Sequence, residues 1–388
     1  LFNANCLLPL VKLYNMNPFI IRGYHGNKYF CDRVNETRTI INAIQNGRDI
    51  TLVSLRKMGK TGLLLHTFEK LKKEKSIETI YMDIYHTENL NGFINQLATA
   101  LFRLKKSFGE RMKEFLNHFR YVRPVISIDQ LNGMPSVTFQ IADEKEARST
   151  LDELFAILKE RSKNTLVVIG IDEFQQISNY PELNVEALIR GMIQTLNNVR
   201  FIYSGSNKTL LARMFGDATR PFYQSTEMMF LVEINATVYE TFIKALFTKN
   251  LREVDEGIIT EILDWSRCHT WYVQYLCNKL FETSQKVNQE ILKKTRQEIL
   301  NSLEPFYLEY RNLLTRHQWQ LLKAIAHTKG SNMLTSGSFI RKYKLTNAST
   351  IKRGVDSLLD KEMIYKRDDN FFVYDVFFSR WLEAQDIY

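Results

Sequence analysis

The chain has 388 residues, 45% of them hydrophobic and 24% charged, which excludes a wholly disordered chain and is too long for one ordinary core. Lysine and arginine number 52 against 43 aspartates and glutamates, a formal charge of +9 that favours polyanionic partners without requiring one. The four cysteines, Cys6, Cys31, Cys268 and Cys277, form no C-x-x-C pair and no zinc-binding spacing, and no apolar run approaches the roughly 20 residues that span a bilayer, so the plain reading is a cytoplasmic protein with reduced thiols and no membrane contact.

The opening LFNANCLLPLVKLYN lacks the basic start and cleavage site of a signal peptide. Met16 stands directly before NPFIIRGY, where periodic sequence begins, so residues 1–16 are expected to be a non-native or disordered extension, with 1–15 upstream of the native start. ITLVSL (50–55) reads as a buried strand, and GKTGLLLHTFEKLKK (59–73) has helical periodicity. TIYMDIY (79–85) is a second strand, followed by a helix through NGFINQLATALFRLKK (91–106). VISID (125–129) and SVTFQIA (136–142) flank an Asn132–Gly133 turn signal, which predicts an inserted β-hairpin near 124–143. A helix from Glu144 to Ser162 then returns the chain to the sheet. TLVVIGIDE (165–173) is the most strand-like run, and VRFIYSGS (199–206) is similar to it. Strands alternating with helices predict a parallel α/β sheet. From Ala236 helical patterns dominate, and the last part changes again, which predicts three units: 17–235, 236–304 and 305–388.

SLRKMGKT (54–61) follows a strand and opens a helix, the context of the phosphate-binding pattern G-x-x-x-x-G-K-[ST], with Ser54 in place of the first glycine. Gly59 lets the backbone turn around phosphate, and main-chain amides over 57–61 can form an anion nest at the helix start. Lys60 reaches the β- and γ-phosphates and the Thr61 hydroxyl ligates Mg²⁺. Ser54, Lys57, Met58, Gly59 and Gly62 complete the nucleotide-binding positions. The bland alternative is an ordinary strand–turn–helix with a solvated lysine.

LVVIGIDE (166–173) is an apolar strand ending in two carboxylates, as a Walker B segment does. Ionised carboxylates are expensive inside a buried strand and belong at its C-terminal end, where open α/β sheets bind ligands. Asp172 is the expected Mg²⁺ ligand and Glu173 the group that orients and deprotonates water; a helix N-cap pair is the other reading. VRFIYSGS ends in Ser204, Gly205, Ser206 and Asn207, small polar groups from which Ser206 is taken as the γ-phosphate sensor. No Ser–His–Asp or metal-cluster pattern of other enzyme classes is evident.

In this order the motifs resemble the archaeal-type P-loop ATPases, relatives of the AAA+ and STAND ATPases that look like origin-recognition initiators. NPFIIRGYHGNKYFCDRVNETRTI (17–40) is similar to the family's N-terminal segment, with Phe30, Arg33 and Glu36 fitting F-x-x-R-x-x-E; the resemblance implies that it lies against the adenine. TRPFYQ (219–224) resembles the family's R-P-[FLY]-Y motif, which makes Arg220 a γ-phosphate-sensing or finger arginine, or else the partner of a surface acid. CHTWYVQYLCNKLF (268–281) resembles the helical-lid motif G-[GH]-x-P…Y-x-x-Q, with Cys268 where glycine and Thr270 where proline is usual.

In the C-terminal unit RNLLTRHQWQLLKAIA (311–326), SGSFIRKYKL (336–345) and NASTIKRGVDSLLDKEM (347–363) read as three helices, and MIYKRDDNFFVYDVFFSRWL (363–382) as two strands around Asp368–Asp369–Asn370. That is a winged-helix pattern, which the family also carries. It would present Asn347, Ser349, Thr350, Lys352 and Arg353 to a major groove, with Lys366 and Arg367 on phosphates; packing on the nucleotide or on a protein is the alternative. The combined expectation is an AAA+-like P-loop sheet, a helical lid and a winged helix, acting as an ATP- and Mg²⁺-dependent switch that reads ATP against ADP. Two other readings remain open: a DNA-binding module with a structural nucleotide, and a STAND-like signalling or defence scaffold that oligomerises with ATP and binds protein.

Overall fold

The computed structural model describes residues 16–103, 115–128 and 133–386. The expectations for residues 1–15, for the end of the 91–106 helix beyond 103, for Asp129 and for Asn132 lie outside the described residues. The chain divides into two compact units, one from Arg22 to Ile234 and one that joins the described residues up to Ile21 to those from Asn235.

The first unit is built on β1 (Ile50–Val53), β2 (Ile77–Asp83), β3 (Val125–Ile128), β4 (Pro135–Thr138), β5 (Leu166–Asp172), β6 (Val199–Gly205) and β7 (Glu227–Phe230). Five strands form one sheet in the order β2-β5-β6-β1-β7, and every pairing in it is parallel. All four residues of β1 are buried, and β5 is buried from Val167 onward, as strands covered on both faces must be. The helices Lys60–Leu71, Leu90–Phe102, Glu144–Arg161 and Val185–Ile193 supply Leu64, Phe93, Leu154 and Ile189 to the core. β3 and β4 pair antiparallel as the predicted hairpin, beside rather than within the main sheet. Because the strands are parallel, their C-terminal ends share one edge. The register sets Val53 opposite Gly205 and Asp83 opposite Asp172, so the loops after β1, β2, β5 and β6 converge there.

β7 is an edge strand that the sequence reading omits. The EMMF segment has no buried residue, and although residues 228–232 (MMFLV) form a continuous apolar run, no alternation marks it.

In the second unit Phe19 is fully buried against Phe247 and Phe281, and the Asn278 side chain donates to the Phe19 carbonyl at 2.8 Å. Four helices, Ala236–Lys249, Ile258–Trp265, Thr270–Thr283 and Gln289–Asn312, accompany the two-residue strands β8 (Glu253–Val254) and β9 (Lys286–Val287). The expected division at 304/305 falls inside the helix Gln289–Asn312, whose Tyr307 packs on Phe378 and Trp381. Helices Arg316–Thr328, Gly337–Lys342 and Ala348–Asp360 and the antiparallel wing of β10 (Ile364–Arg367) and β11 (Asn370–Val373) follow.

The expected second wing strand does not run on to 382. Residues Val376–Glu383 form a helix, because the Asp375 side chain accepts from the Phe378 N–H and Val376, Phe377, Phe378, Trp381 and Leu382 are all buried. No helix among the described residues is long and apolar enough to cross a membrane.

Candidate functional site

The loop after β1 is shaped by two left-handed residues, Lys57 at φ 63° and Gly59 at φ 94°. Gly59 meets the second turn without the Cβ clash that any other residue would bring. The helix Lys60–Leu71 then starts with no side-chain cap, leaving its first-turn N–H groups unclaimed by any side chain. Lys60 is only 5% exposed, and its ammonium donates to Ser54 Oγ and to the Leu55 carbonyl, both at 3.2 Å. Both acceptors are neutral. Burial pulls Lys60 below the usual lysine range, while the nearby Glu173 and Asp172 charges oppose that shift and Arg56 and Lys208 add to it. A buried cation beside unclaimed helix amides is an arrangement that an anion completes.

The Thr61 hydroxyl donates to Asp172 Oδ2 at 2.5 Å, so the first turn of that helix meets the end of β5 directly. Tyr81 OH approaches the same oxygen at 3.4 Å. Burial pushes Asp83 above the ordinary carboxylate range against the Tyr85 N–H that it accepts, and Asp172 and Glu173 add to the rise. Burial and Asp172 also push Tyr81 up, which keeps its phenol a donor. One carboxylate and one hydroxyl are hard oxygen donors, and no group of three His, Cys, Asp or Glu residues among the described residues could hold a metal ion. Such a donor set suits Mg²⁺, which takes most of its ligands from phosphate and water.

Glu173 lies in the left-handed region at φ 54°, a conformation that costs a non-glycine residue on the order of 1 kcal/mol. Its Oε2 accepts from Gln175 Nε2 at 2.5 Å, from Ser206 Oγ at 2.9 Å and from the Ser206 N–H at 3.4 Å. Lys60, Thr61, Asp172, Glu173 and Ser206 are thus drawn into one constellation from β1, β5 and β6.

Two further expected residues are engaged elsewhere. Arg33 is buried, with Nη1 2.8 Å from Glu36 and Nη2 donating to the Val232 carbonyl at 2.7 Å. Arg220 donates to both carboxylate oxygens of Glu186 and to Ser178 Oγ, so the acid-pairing alternative is the arrangement present. Near the helix start Phe30 stacks on His66 with ring centroids 4.3 Å apart, and a Cβ on Gly62 would lie 3.4 Å from the Phe30 ring. Tyr81, Asp83 and Gln175 are additions to the sequence reading. Asp83 has a signal in retrospect, a carboxylate ending an apolar strand, whereas nothing in local spacing marks Gln175.

In the second unit the helix Ala348–Asp360 is capped by Asn347, which accepts from the Thr350 N–H at 2.9 Å. Ile351, Val355 and Leu358 are buried, while Ser349, Lys352 and Arg353 are exposed and Thr350 is half-buried. On the wing Lys366 lies 2.7 Å from Asp369, and Arg367 4.0 Å from Asp368.

Two family profiles match the chain: "ATPase domain predominantly from Archaea" over residues 30–265, and "Probable winged helix domain" over residues 305–384. A Walker-type ATPase of Pyrococcus abyssi superposes with a TM-score of 0.66 at 16% identity, covering 95% of this chain and 100% of that one. The ORC2 protein of Aeropyrum pernix, solved as ADPNP-ADP complexes, superposes with a TM-score of 0.56 at 12% identity, covering 96% of this chain and 98% of that one. At such identities these likenesses establish the fold. The comparison with curated proteins gives no match.

Proposed function

Since the chain belongs to the ATPase domain family found predominantly in Archaea, we propose that it binds ATP with Mg²⁺ at the loop after β1 and hydrolyses it as a conformational switch. The observation that carries this reading is the Lys60 ammonium, buried at 5% exposure and bonded only to neutral oxygens. Lys60 and the loop amides, with Ser54, Lys57, Met58, Gly59 and Gly62 around them, bind the phosphates. Thr61 and Asp172 would hold Mg²⁺, which neutralises phosphate charge as it develops. Glu173 takes the proton of the attacking water, and Ser206, bonded to it, stands where the γ-phosphate is sensed. Arg33 serves as a latch for its own segment, through Glu36 and Val232. Arg220 takes part in hydrolysis only if it leaves Glu186.

ATP binding and phosphate release by wild type, Lys60→Ala and Glu173→Gln test the reading. Lys60→Ala is expected to lose nucleotide affinity, whereas Glu173→Gln binds ATP and turns over about 10²- to 10⁴-fold more slowly. Equal turnover by Glu173→Gln and wild type would refute the assigned chemistry.

Duplex DNA is the partner favoured for the winged helix, because Ser349, Lys352 and Arg353 are exposed on the face opposite its buried side. Thr350 would join them. Lys366 and Arg367 contribute less, as each lies beside a wing aspartate. Duplex binding that weakens with salt, and further with Lys352→Ala/Arg353→Ala, supports DNA. No binding with or without ATP transfers the role to a protein partner, and ATP-dependent assembly on size-exclusion chromatography would mark a STAND-like scaffold.

A further inference from the structure

Gln175 sits in the short 3-10 helix Phe174–Asn179 that follows the acidic end of β5, and it is 9% exposed. Its Nε2 donates to Glu173 Oε2 at 2.5 Å, while its own Oε1 is buried with no hydrogen-bond partner. An orphaned buried acceptor is unfavourable, and an apolar side chain of the same shape would avoid it. Packing therefore does not account for the amide; its donor end does. The neighbouring strand makes room for it, since a Cβ on Gly205 would lie 2.0 Å from Gln175 Oε1 and 2.8 Å from Leu211 Cδ1. Ser206, the next residue, brings its hydroxyl and its N–H to the same Glu173 oxygen. Three donors thus converge on Oε2, and among the described residues none reaches Oε1.

We propose that Gln175 is a positioning residue for Glu173: with Ser206 it anchors one carboxylate oxygen and leaves the other free to accept a proton from water. The inference rests on the hydrolytic reading above and deepens it. Anchoring one oxygen fixes both the rotation of the carboxylate and the direction of its free lone pairs, which the left-handed backbone at Glu173 begins but does not complete. The glycine at 205 is then part of the same device, as the surface against which the amide lies.

The test compares wild type, Gln175→Met, Gly205→Ala, Glu173→Gln and the Gln175→Met/Glu173→Gln double variant. Gln175→Met keeps the side-chain length and removes the donor. Its turnover is expected to fall about tenfold to a hundredfold, while ATP affinity in Mg²⁺ changes by less than about twofold, because the lost contact is not one that binds nucleotide. In the Glu173→Gln background it should have no further effect, since the group it orients no longer acts as a base. A crystal structure of Gln175→Met without nucleotide should show the Glu173 carboxylate rotated from its wild-type position or split over several. Gly205→Ala, which expels the amide, should reproduce the same split between turnover and affinity. Wild-type turnover by Gln175→Met, alongside a silent Glu173→Gln, overturns the inference alone. So does a loss of ATP affinity that matches the loss of turnover, or an unmoved Glu173. If wild type and Glu173→Gln release phosphate equally, the hydrolytic reading falls and takes this inference with it.

Discussion

Replacing Lys60 with methionine should make the nucleotide-free protein more stable and ATP unable to stabilise it further. Lys60 is 5% exposed, so folding strips nearly all water from its ammonium and returns two hydrogen bonds to neutral oxygens. Methionine has a similar length and no desolvation penalty. The acceptors are not orphaned by the change, because Ser54 Oγ still donates to the Leu55 carbonyl at 2.8 Å. Replacing a whole buried ion pair with apolar groups of like volume is neutral to stabilising by about 1–4 kcal/mol, and here the Asp172 and Glu173 charges near Lys60 remain, which holds the gain to the lower part of that range. Setting the lost charged hydrogen bonds against that range leaves a gain of about 1–2 kcal/mol. For a unit of roughly 200 residues it raises the melting temperature by about 2–8 °C. Saturating ATP reverses the order: at a hundredfold excess over Kd the wild type gains about 2.7 kcal/mol, and the variant gains nothing. Thermal melts of both proteins, with and without ATP and Mg²⁺, should cross. A variant that melts lower without nucleotide, or whose melting rises as much as the wild type's with it, refutes the argument that a buried cation, hydrogen-bonded only to neutral oxygens, waits there for phosphate.

Cys268 holds a left-handed backbone at φ 52°, directly after Arg267 at φ 53°; Cys268→Gly should stabilise the second unit by about 0.5–1 kcal/mol, read as a rise in denaturation midpoint. Asp375→Ala removes the cap of the terminal helix and should lower stability by about 1 kcal/mol in the same assay, and an unchanged midpoint would mean the cap is idle. His66 is pulled below its ordinary 6.5 by burial and by Lys70, against Glu69, so the unfolded chain takes up that proton first. Its contribution to stability is intact above pH 6.5 and is lost as pH falls from there toward the folded value. His66→Phe, which keeps a ring on Phe30, should flatten the fall in stability in that window by up to ~1.4 kcal/mol per pH unit; identical pH profiles would rule out His66 as the cause.

The strands that carry the chemistry were legible because each is an apolar run ending in polar residues. Burial fixes the run, and its polar end falls at the C-terminal edge of the sheet, still shielded from solvent, as at Val53–Ser54, Ile171–Asp172 and Ser204–Gly205. The alignment of those ends was not legible. Tyr81 and Asp83 reach Asp172 through the register of β2 on β5, about 90 residues apart in sequence, and no local periodicity encodes that pairing. Gln175 escaped for a related reason, since its role depends on Glu173 turning back through a left-handed residue. At the C terminus the aromatic run after Asp375 suggested a strand from side-chain preference. The capped start and the burial of Phe377, Phe378, Trp381 and Leu382 made it a helix instead. Arg33 and Arg220 show the converse limit: a motif identifies an arginine, but neighbours such as Glu36 and Glu186 decide what it holds.

The direct contact between Thr61 and Asp172 has a consequence for how the protein meets metal in the cell. Two oxygens already satisfied by each other offer a free hydrated ion little reason to shed water, and small divalent ions shed it reluctantly. A nucleotide that arrives with its ion already chelated brings most of the coordination shell with it and need only part that one hydrogen bond. The protein would therefore respond to the uncomplexed ion only through the concentration of the chelate that the ion forms with nucleotide.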